Sequence, residues 1–143
     1  INIDNDFLIH DKIHDLTGKD VYNFRKDSII PMLWATVIVF KKTDRAKHIF
    51  DMVKYIKQHY QYFCKLYRIH FPNFRNDYAF SMAINQVNGN TQQTFLPGKI
   101  PTLPALAKII EVKDTGIVFE YDNKINEIEN QDVHLISKEI FNV

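Results

Sequence analysis

The sequence has little of several features that would place it in a familiar class. It has a single cysteine, Cys64, and so cannot form an internal disulfide, which favours a reducing compartment such as the cytoplasm. Four glycines and no glycine-rich phosphate loop argue against the common nucleotide-binding motifs. No apolar run approaches the roughly 20 residues of a membrane span. Eighteen basic residues against seventeen acidic ones favour neither nucleic acid nor a membrane surface as a partner.

What is present predicts a folded protein. Hydrophobic residues make up 45% of the 143-residue chain and aromatic residues 13%, which is typical of a globular protein with a sizeable core. The length suits a single domain covering residues 1–143. Because Ile1 already lies inside a predicted strand, we expect this polypeptide to be part of a longer one.

The first half of the chain predicts both strands and helices. Residues 31–40 form an apolar, β-branched run, which predicts a central strand buried on both faces. Apolar residues recur every three or four positions across residues 46–67 and predict one long amphipathic helix. A further helix is expected to end at Gly89, with Asn76 or Asp77 as its cap.

The remaining segments predict shorter elements. Residues 8–16 have the pattern of a short amphipathic helix. Residues 108–112 and 117–121, joined by a turn that ends in glycine, predict a β-hairpin. Residues 122–131 are polar and predict no regular element, whereas residues 132–138 predict a short final strand. Together these elements predict an α/β fold in which a mixed sheet packs against helices.

The first six residues carry the clearest chemical motif, Asp4 and Asp6 at the end of an apolar run. Two carboxylates two positions apart share one face of a strand, and at a strand end both can converge on one divalent cation. A hard cation such as Mn²⁺ or Mg²⁺ completes its coordination with water and phosphate oxygens, so the motif indicates a phosphate-containing substrate. The alternative is a solvated acidic turn that binds nothing.

The run INIDNDFLIHDKIHDL, residues 1–16, resembles the segment around the Asp-x-Asp motif of nucleotide-sugar glycosyltransferases of the A-type fold. The resemblance implies that the chain corresponds to the C-terminal half of that fold and lacks the N-terminal part that grips the nucleotide. It also implies metal-dependent transfer of a sugar from a nucleotide-diphosphate sugar to a hydroxyl of an acceptor, such as a glycan.

The resemblance further implies how the metal and the diphosphate would be held. His134, near the carboxyl end, would join Asp4 and Asp6 in ligating Mn²⁺ or Mg²⁺, and Lys138 would contact the diphosphate. The alternative for His134 is a packed or hydrogen-bonded side chain in the last strand.

Three residues are implied on the acceptor side. Asp77 would position the acceptor or deprotonate it as the catalytic carboxylate, and Trp34 and Asn76 would contribute to the sugar or acceptor pocket. The alternatives are that Asp77 caps a helix and that Trp34, which buries a large area, belongs to the core.

A function of another class fits the same sequence. The chain can be a non-catalytic binding or structural domain that self-associates through the aromatic helix predicted for residues 46–67, because tyrosine and phenylalanine are enriched at interfaces. In that case the protein is a homo-oligomer and the acidic triplet is only a turn.

Overall fold

The computed structural model describes residues 5–21, 29–70, 73–89, 93, 95–96 and 100–135, without the side chains of residues 20 and 21. The chain divides into two compact units. Unit 1 comprises Ile1–Asp11 and Asn23–Pro97, and unit 2 comprises Lys12–Tyr22 and Gly98–Val143. The described residues contain both helices and strands in small sheets, which confirms the predicted α/β class.

The elements follow one another in a mixed order. The strands are β1 (Phe7–His10), β2 (Ile13–His14), β3 (Asp20–Val21), β4 (Trp34–Phe40), β5 (Thr102–Leu103), β6 (Lys108–Lys113), β7 (Gly116–Tyr121), β8 (Lys124–Glu129) and β9 (His134–Leu135). The helices are α1 (Asp44–Gln58), α2 (Tyr60–Leu66) and α3 (Asn76–Asn88). Within the part of the chain that the structure describes, no helix combines the length and the apolarity of a membrane span.

Unit 1 is built on the antiparallel pair of β1 and β4. Phe7 and Ile9 of β1 are fully buried, as expected for alternate residues that face a core. The prediction of a central strand buried on both faces is wrong in its extent, because β4 begins only at Trp34 and β1 is its one neighbour among the described strands. Val39 and Phe40 at its end are about half exposed, since no described strand covers that end on its other side.

The predicted long helix is two helices. α1 ends at Gln58, and His59 leaves the helical conformation with φ −123° and ψ 35°. Its backbone N–H is shared between the carbonyl oxygens of Tyr55 and Ile56, a pattern common at helix ends. α2 then starts at Tyr60, whose side chain is buried. The segment contains neither proline nor glycine, so tertiary packing and not a local breaker decides where α1 ends.

α3 confirms the helix predicted to end at Gly89, whose φ of +61° suits a residue without a side chain. The predicted cap is wrong. Arg75 occupies the position before the helix and makes no side-chain capping bond. Asp77 lies in the first turn of α3, where the helix dipole stabilises a negative charge. Its side chain accepts a hydrogen bond from β4 instead of capping the helix.

Unit 2 contains the antiparallel sheet β6-β7-β8 and the parallel pair of β5 and β9. The predicted hairpin is confirmed as β6 and β7. The sequence did not predict β8. Ile128 is its one buried side chain, so the strand shows no apolar alternation. The core of unit 2 consists of Leu103, Ala107, Phe119 and Ile128.

The short helix predicted for residues 8–16 is wrong, because this segment forms β1, β2 and a turn. In the turn, one carboxylate oxygen of Asp15 accepts hydrogen bonds from the Thr17 backbone N–H, the Thr17 hydroxyl and the Lys19 backbone N–H. The bond from the Thr17 hydroxyl is the main cause that lowers the pKa of Asp15 from its ordinary value. The turn reverses the chain between β2 and β3. It needs a positive φ at position 18, which Gly18 adopts at +83° because it has no side chain.

Candidate functional site

Asp6, the second carboxylate of the Asp-x-Asp motif, is buried directly before β1. Its Oδ1 forms an ion pair with Arg45, and its Oδ2 accepts a hydrogen bond from the Thr43 hydroxyl at 2.7 Å. The same hydroxyl accepts the backbone N–H of Ala46 and caps α1. Asp6 therefore ties the start of β1 to the start of α1.

The metal set predicted from the sequence is described only in part. Asp4 and Lys138 lie outside the described residues, Asp6 belongs to unit 1, and His134 belongs to unit 2. The His134 ring nitrogen Nδ1 lies 3.4 Å from the hydroxyl oxygen of Thr102. The described residues contain no group of three or more His, Cys, Asp or Glu side chains arranged to hold a metal ion. Ligation of Mn²⁺ or Mg²⁺ by Asp4, Asp6 and His134 stays a prediction.

The groups that already bond to the Asp6 carboxylate, Arg45 and Thr43, disfavour binding of a metal cation there. Arg45 already places a positive charge against Oδ1, and a second cation on the same carboxylate would be repelled by the guanidinium. A metal ion could be accepted only if the Arg45 side chain withdrew from Asp6.

Arg45 extends this polar network to the far end of α3. Its Nη2 donates to the side-chain oxygens of Asn88 at 2.8 Å and Gln93 at 2.9 Å. Asn88 also donates to Gln93, and Gln93 in turn donates to the backbone oxygen of Phe7 at 2.6 Å. The network holds the carboxyl end of α3 against β1, and its members are fixed by one another.

Asp77, the predicted catalytic carboxylate, joins the start of α3 to β4. Its Oδ1 accepts the backbone N–H of Ala35 at 2.8 Å, and its Oδ2 accepts from Arg75 at 3.0 Å. One turn later, Ser81 accepts the backbone N–H of Leu33 at 2.8 Å and donates to the carbonyl oxygen of Asp77 at 2.6 Å. These bonds place Asp77 beside the first residues of β4.

Trp34 and Asn76 flank this junction. Trp34 is buried with 6% of its surface exposed, in agreement with the alternative that assigned it to the core. Asn76 is the first residue of α3. Neither residue lines the cleft described next.

A cleft with a cavity volume of about 470 Å³ opens within unit 1. This volume lies in the range of small-molecule sites. Its apolar wall is formed chiefly by Met32, Leu33, Ile84 and Phe95. Its polar side chains include Asp11, Ser81, Asn85, Asn88 and Gln93. The cleft thus combines a hydrophobic wall with a few polar groups, the usual composition of a ligand site.

The side chain of Asn85 has a defined orientation in this cleft. The Tyr67 hydroxyl donates to Asn85 Oδ1 at 2.9 Å and itself accepts a bond from Gln86. Burial raises the pKa of Tyr67 above its ordinary value, so the hydroxyl keeps its proton at neutral pH and acts as donor. Asn85 must therefore turn its oxygen to Tyr67, which leaves its amide N–H groups as donors without a recorded protein acceptor among the described residues.

Asp11 brings the one carboxylate that the described residues contribute to the cleft. It follows β1 directly and is half-buried. The structure records neither a hydrogen bond nor an ion pair for its side chain among the described residues. An ionised carboxylate of this kind can accept hydrogen bonds from a ligand.

Sequence reasoning missed Asp11, Arg45, Asn85 and Gln93. A partial signal existed for Arg45, since a buried carboxylate after an apolar run needs a basic partner, but nothing in the sequence points to position 45. The polar positions Asn85 and Asn88 are three apart on α3 and so share a face, which the helical pattern could have revealed.

Comparisons of the chain with protein-family models, with curated proteins and with solved structures gave no match to any of them.

Proposed function

We propose that this chain carries the acceptor side of an enzyme that transfers a sugar from a nucleotide-diphosphate sugar to an acceptor hydroxyl. One observation carries the proposal, namely the cleft of about 470 Å³ beside the junction of β4 and α3. Ser81 lines the cleft and bonds to Asp77, so the predicted catalytic residue lies one helical turn from the cleft wall. The resemblance of residues 1–16 to glycosyltransferases supplies the class of reaction.

In this proposal Asp77 acts by position. Both of its carboxylate oxygens accept protein donors, so deprotonation of an acceptor by Asp77 would require it to give up the bond from Ala35 or from Arg75. While those bonds persist, Asp77 fixes the start of α3 against β4, beside the cleft. The amide and carboxylate groups of the cleft then orient the acceptor hydroxyl. Its oxygen bonds to the anomeric carbon of the sugar as the bond to the diphosphate breaks, and its proton passes to the departing diphosphate.

Mn²⁺ or Mg²⁺, bound by Asp4, Asp6 and His134 as the sequence predicts, would supply Lewis acidity for the departing diphosphate. This part of the proposal needs Arg45 to release Asp6. Arg45 itself remains a cation at that place in the absence of a metal ion.

The experiment measures release of nucleotide diphosphate from UDP-glucose, UDP-galactose and GDP-mannose, with Mn²⁺ and a panel of glycan acceptors. The polypeptide used includes any residues encoded before Ile1. Met32→Trp fills the cleft and should lower kcat/KM for the acceptor by about tenfold or more. Val112→Trp, at an exposed position of unit 2, is the control and should leave it unchanged. A folded wild-type protein that releases no nucleotide diphosphate from any donor would refute the proposal.

Self-association is the second candidate function. Tyr55 lies on α1, and Tyr62 and Leu66 lie four residues apart on one face of α2, beyond the break at His59. They are 50%, 65% and 47% exposed, respectively. A row of exposed aromatic and aliphatic side chains favours an interface.

A further inference from the structure

We propose that the cleft of unit 1 recognises a neutral sugar through adjacent hydroxyl groups, and that it takes the acceptor and not the nucleotide diphosphate. The inference rests on the proposed function and assigns the substrate class of the same cleft. It is carried by two polar groups in the lining, the Asp11 carboxylate and the Asn85 amide.

The two groups have complementary hydrogen-bonding chemistry. The Asp11 carboxylate only accepts hydrogen bonds, and the Asn85 amide, whose oxygen is engaged by Tyr67, offers N–H donors. A sugar carries several hydroxyls, so one can donate to Asp11 while another accepts from Asn85. Two neighbouring hydroxyls can also donate to the two oxygens of one carboxylate. A ligand rich in hydroxyl groups therefore satisfies both residues.

Charge excludes the competing ligand. Among the described residues, no lysine or arginine lines the cleft, and Asp11 is the one charged side chain in that part of the lining. A diphosphate would meet a like charge there, with no basic side chain in the described lining to offset it and with Arg45 already paired with Asp6. Like charges at short distance are costly in a partly desolvated site. The two side chains of the Arg45 network that line the cleft, Asn88 and Gln93, carry no charge.

The apolar wall fits the other face of a sugar ring. Phe95 is half-buried and lines the cleft together with Met32 and Ile84. The carbon-bound hydrogens of a pyranose make one face of the ring apolar, and an aromatic side chain offers a flat surface for it. Phe95 thus takes the position that the sequence had suggested for Trp34.

The experiment is a titration of the full chain followed by two-dimensional ¹H–¹⁵N NMR. The probes are methyl glucoside, methyl galactoside and methyl mannoside as neutral ligands, with glucose 1-phosphate and UDP as anionic ones, all without Mn²⁺. We expect at least one neutral glycoside to shift the signals of the Asn85 side-chain amide and of the Gly89 backbone. The anions should bind these residues at least about tenfold more weakly.

Two variants test the named groups. Asp11→Asn should raise the Kd of the neutral glycoside about tenfold, because it replaces a charged acceptor by a neutral amide. Asn85→Asp keeps an oxygen for Tyr67 but removes the N–H donors, and it should raise the Kd by a similar factor. The matched control is Asp114→Asn, the same chemical change at an exposed turn in unit 2, which should leave the Kd unchanged.

Three results would overturn the inference: no glycoside shifts the cleft signals, the anions bind there as tightly as the glycosides, or Asp11→Asn behaves like Asp114→Asn. Failure of the proposed function is seen separately, in the release of nucleotide diphosphate. If the protein binds glycosides in the cleft but releases no nucleotide diphosphate, only the proposed transfer reaction is refuted. If the protein transfers sugar but Asp11→Asn leaves glycoside binding unchanged, only the assignment of the cleft to a neutral sugar is refuted.

Discussion

At the scale of the residue, Asp6 has the largest expected effect on stability. Its side chain is 6% exposed and that of its partner Arg45 is 25% exposed, so each charge depends on the other. Asp6→Asn removes the negative charge and leaves the guanidinium partly buried without a counter-charge. We expect the free energy of unfolding to fall by about 3 kcal/mol. Chemical denaturation followed by circular dichroism measures the change.

Asp51→Asn is the matched control for this substitution. Asp51 pairs with Lys47 on the surface of α1, where both side chains are more than half exposed, so its loss should hardly alter the stability. If Asp6→Asn were as stable as the wild type or more stable, the ion pair would contribute nothing. A role for Asp6 in function and not in stability would then gain support.

The sequence identified Asp6 but not what it binds. A carboxylate at the end of an apolar run is a local signal, and it was seen. Arg45 lies 39 positions along the chain and reaches Asp6 only because β1 and α1 are brought together by the fold. Asp11 and Asn85 likewise have no distinguishing local signal in the sequence. Only the fold brings both into the lining of one cleft. Residue types can thus be predicted to be special, whereas their partners depend on tertiary structure.

At the scale of the element, Gly116 is the position where the sheet of unit 2 tolerates no side chain. A Cβ there would lie 2.2 Å from the carbonyl oxygen of Ile128 and 3.1 Å from the Cα of Glu129. Both atoms belong to the backbone of β8, which pairs with β7, so relief requires the strands to separate. We expect Gly116→Ala to lower the free energy of unfolding by about 1–3 kcal/mol.

Hydrogen exchange locates this effect. The amides of β7 and β8 should exchange faster in Gly116→Ala than in the wild type, because the substitution weakens their pairing. Thr115→Ala, a truncation at the neighbouring exposed residue, serves as the control and should leave these amides protected. Unchanged protection in Gly116→Ala would mean that β8 is not held against β7 as described.

Elements with strong local signals were predicted well. The hairpin of β6 and β7 has β-branched runs and a turn ending in Gly116, and α3 ends at Gly89, where a positive φ favours glycine. Elements set by packing were missed. The end of α1 at His59 has no local breaker, and β8 has one buried side chain, so neither could be seen in the sequence. The segment of residues 8–16 has apolar residues at spacings that suit helix and strand alike, and the pairing of β1 with β4 and of β2 with β3 decides for strand.

At the scale of the whole molecule, the two units have separate hydrophobic cores. One cluster of unit 1 lies between α1, α2 and α3 around Tyr78 and Met82, and the other lies around Phe7 and Ile49. Among the described residues, the core of unit 2 includes Phe119. Unit 2 combines two stretches of sequence that the whole of Asn23–Pro97 separates. Such a division leaves no linker signature in the composition of the chain.

The state of association of the whole molecule tests the second candidate function. If the exposed row of Tyr55, Tyr62 and Leu66 forms an interface, the sedimentation coefficient of the wild type should rise with protein concentration. Tyr62→Lys should suppress that rise, because it places a charge at the most exposed position of the row. Tyr121→Lys, at a less exposed aromatic position of unit 2, is the control. A wild type that stays monomeric at every concentration contradicts the interface and leaves the cleft of unit 1 as the functional surface. The row on α1 and α2 shares no residue with the described lining of the cleft. We therefore expect Tyr62→Lys to leave glycoside binding intact even where it abolishes association.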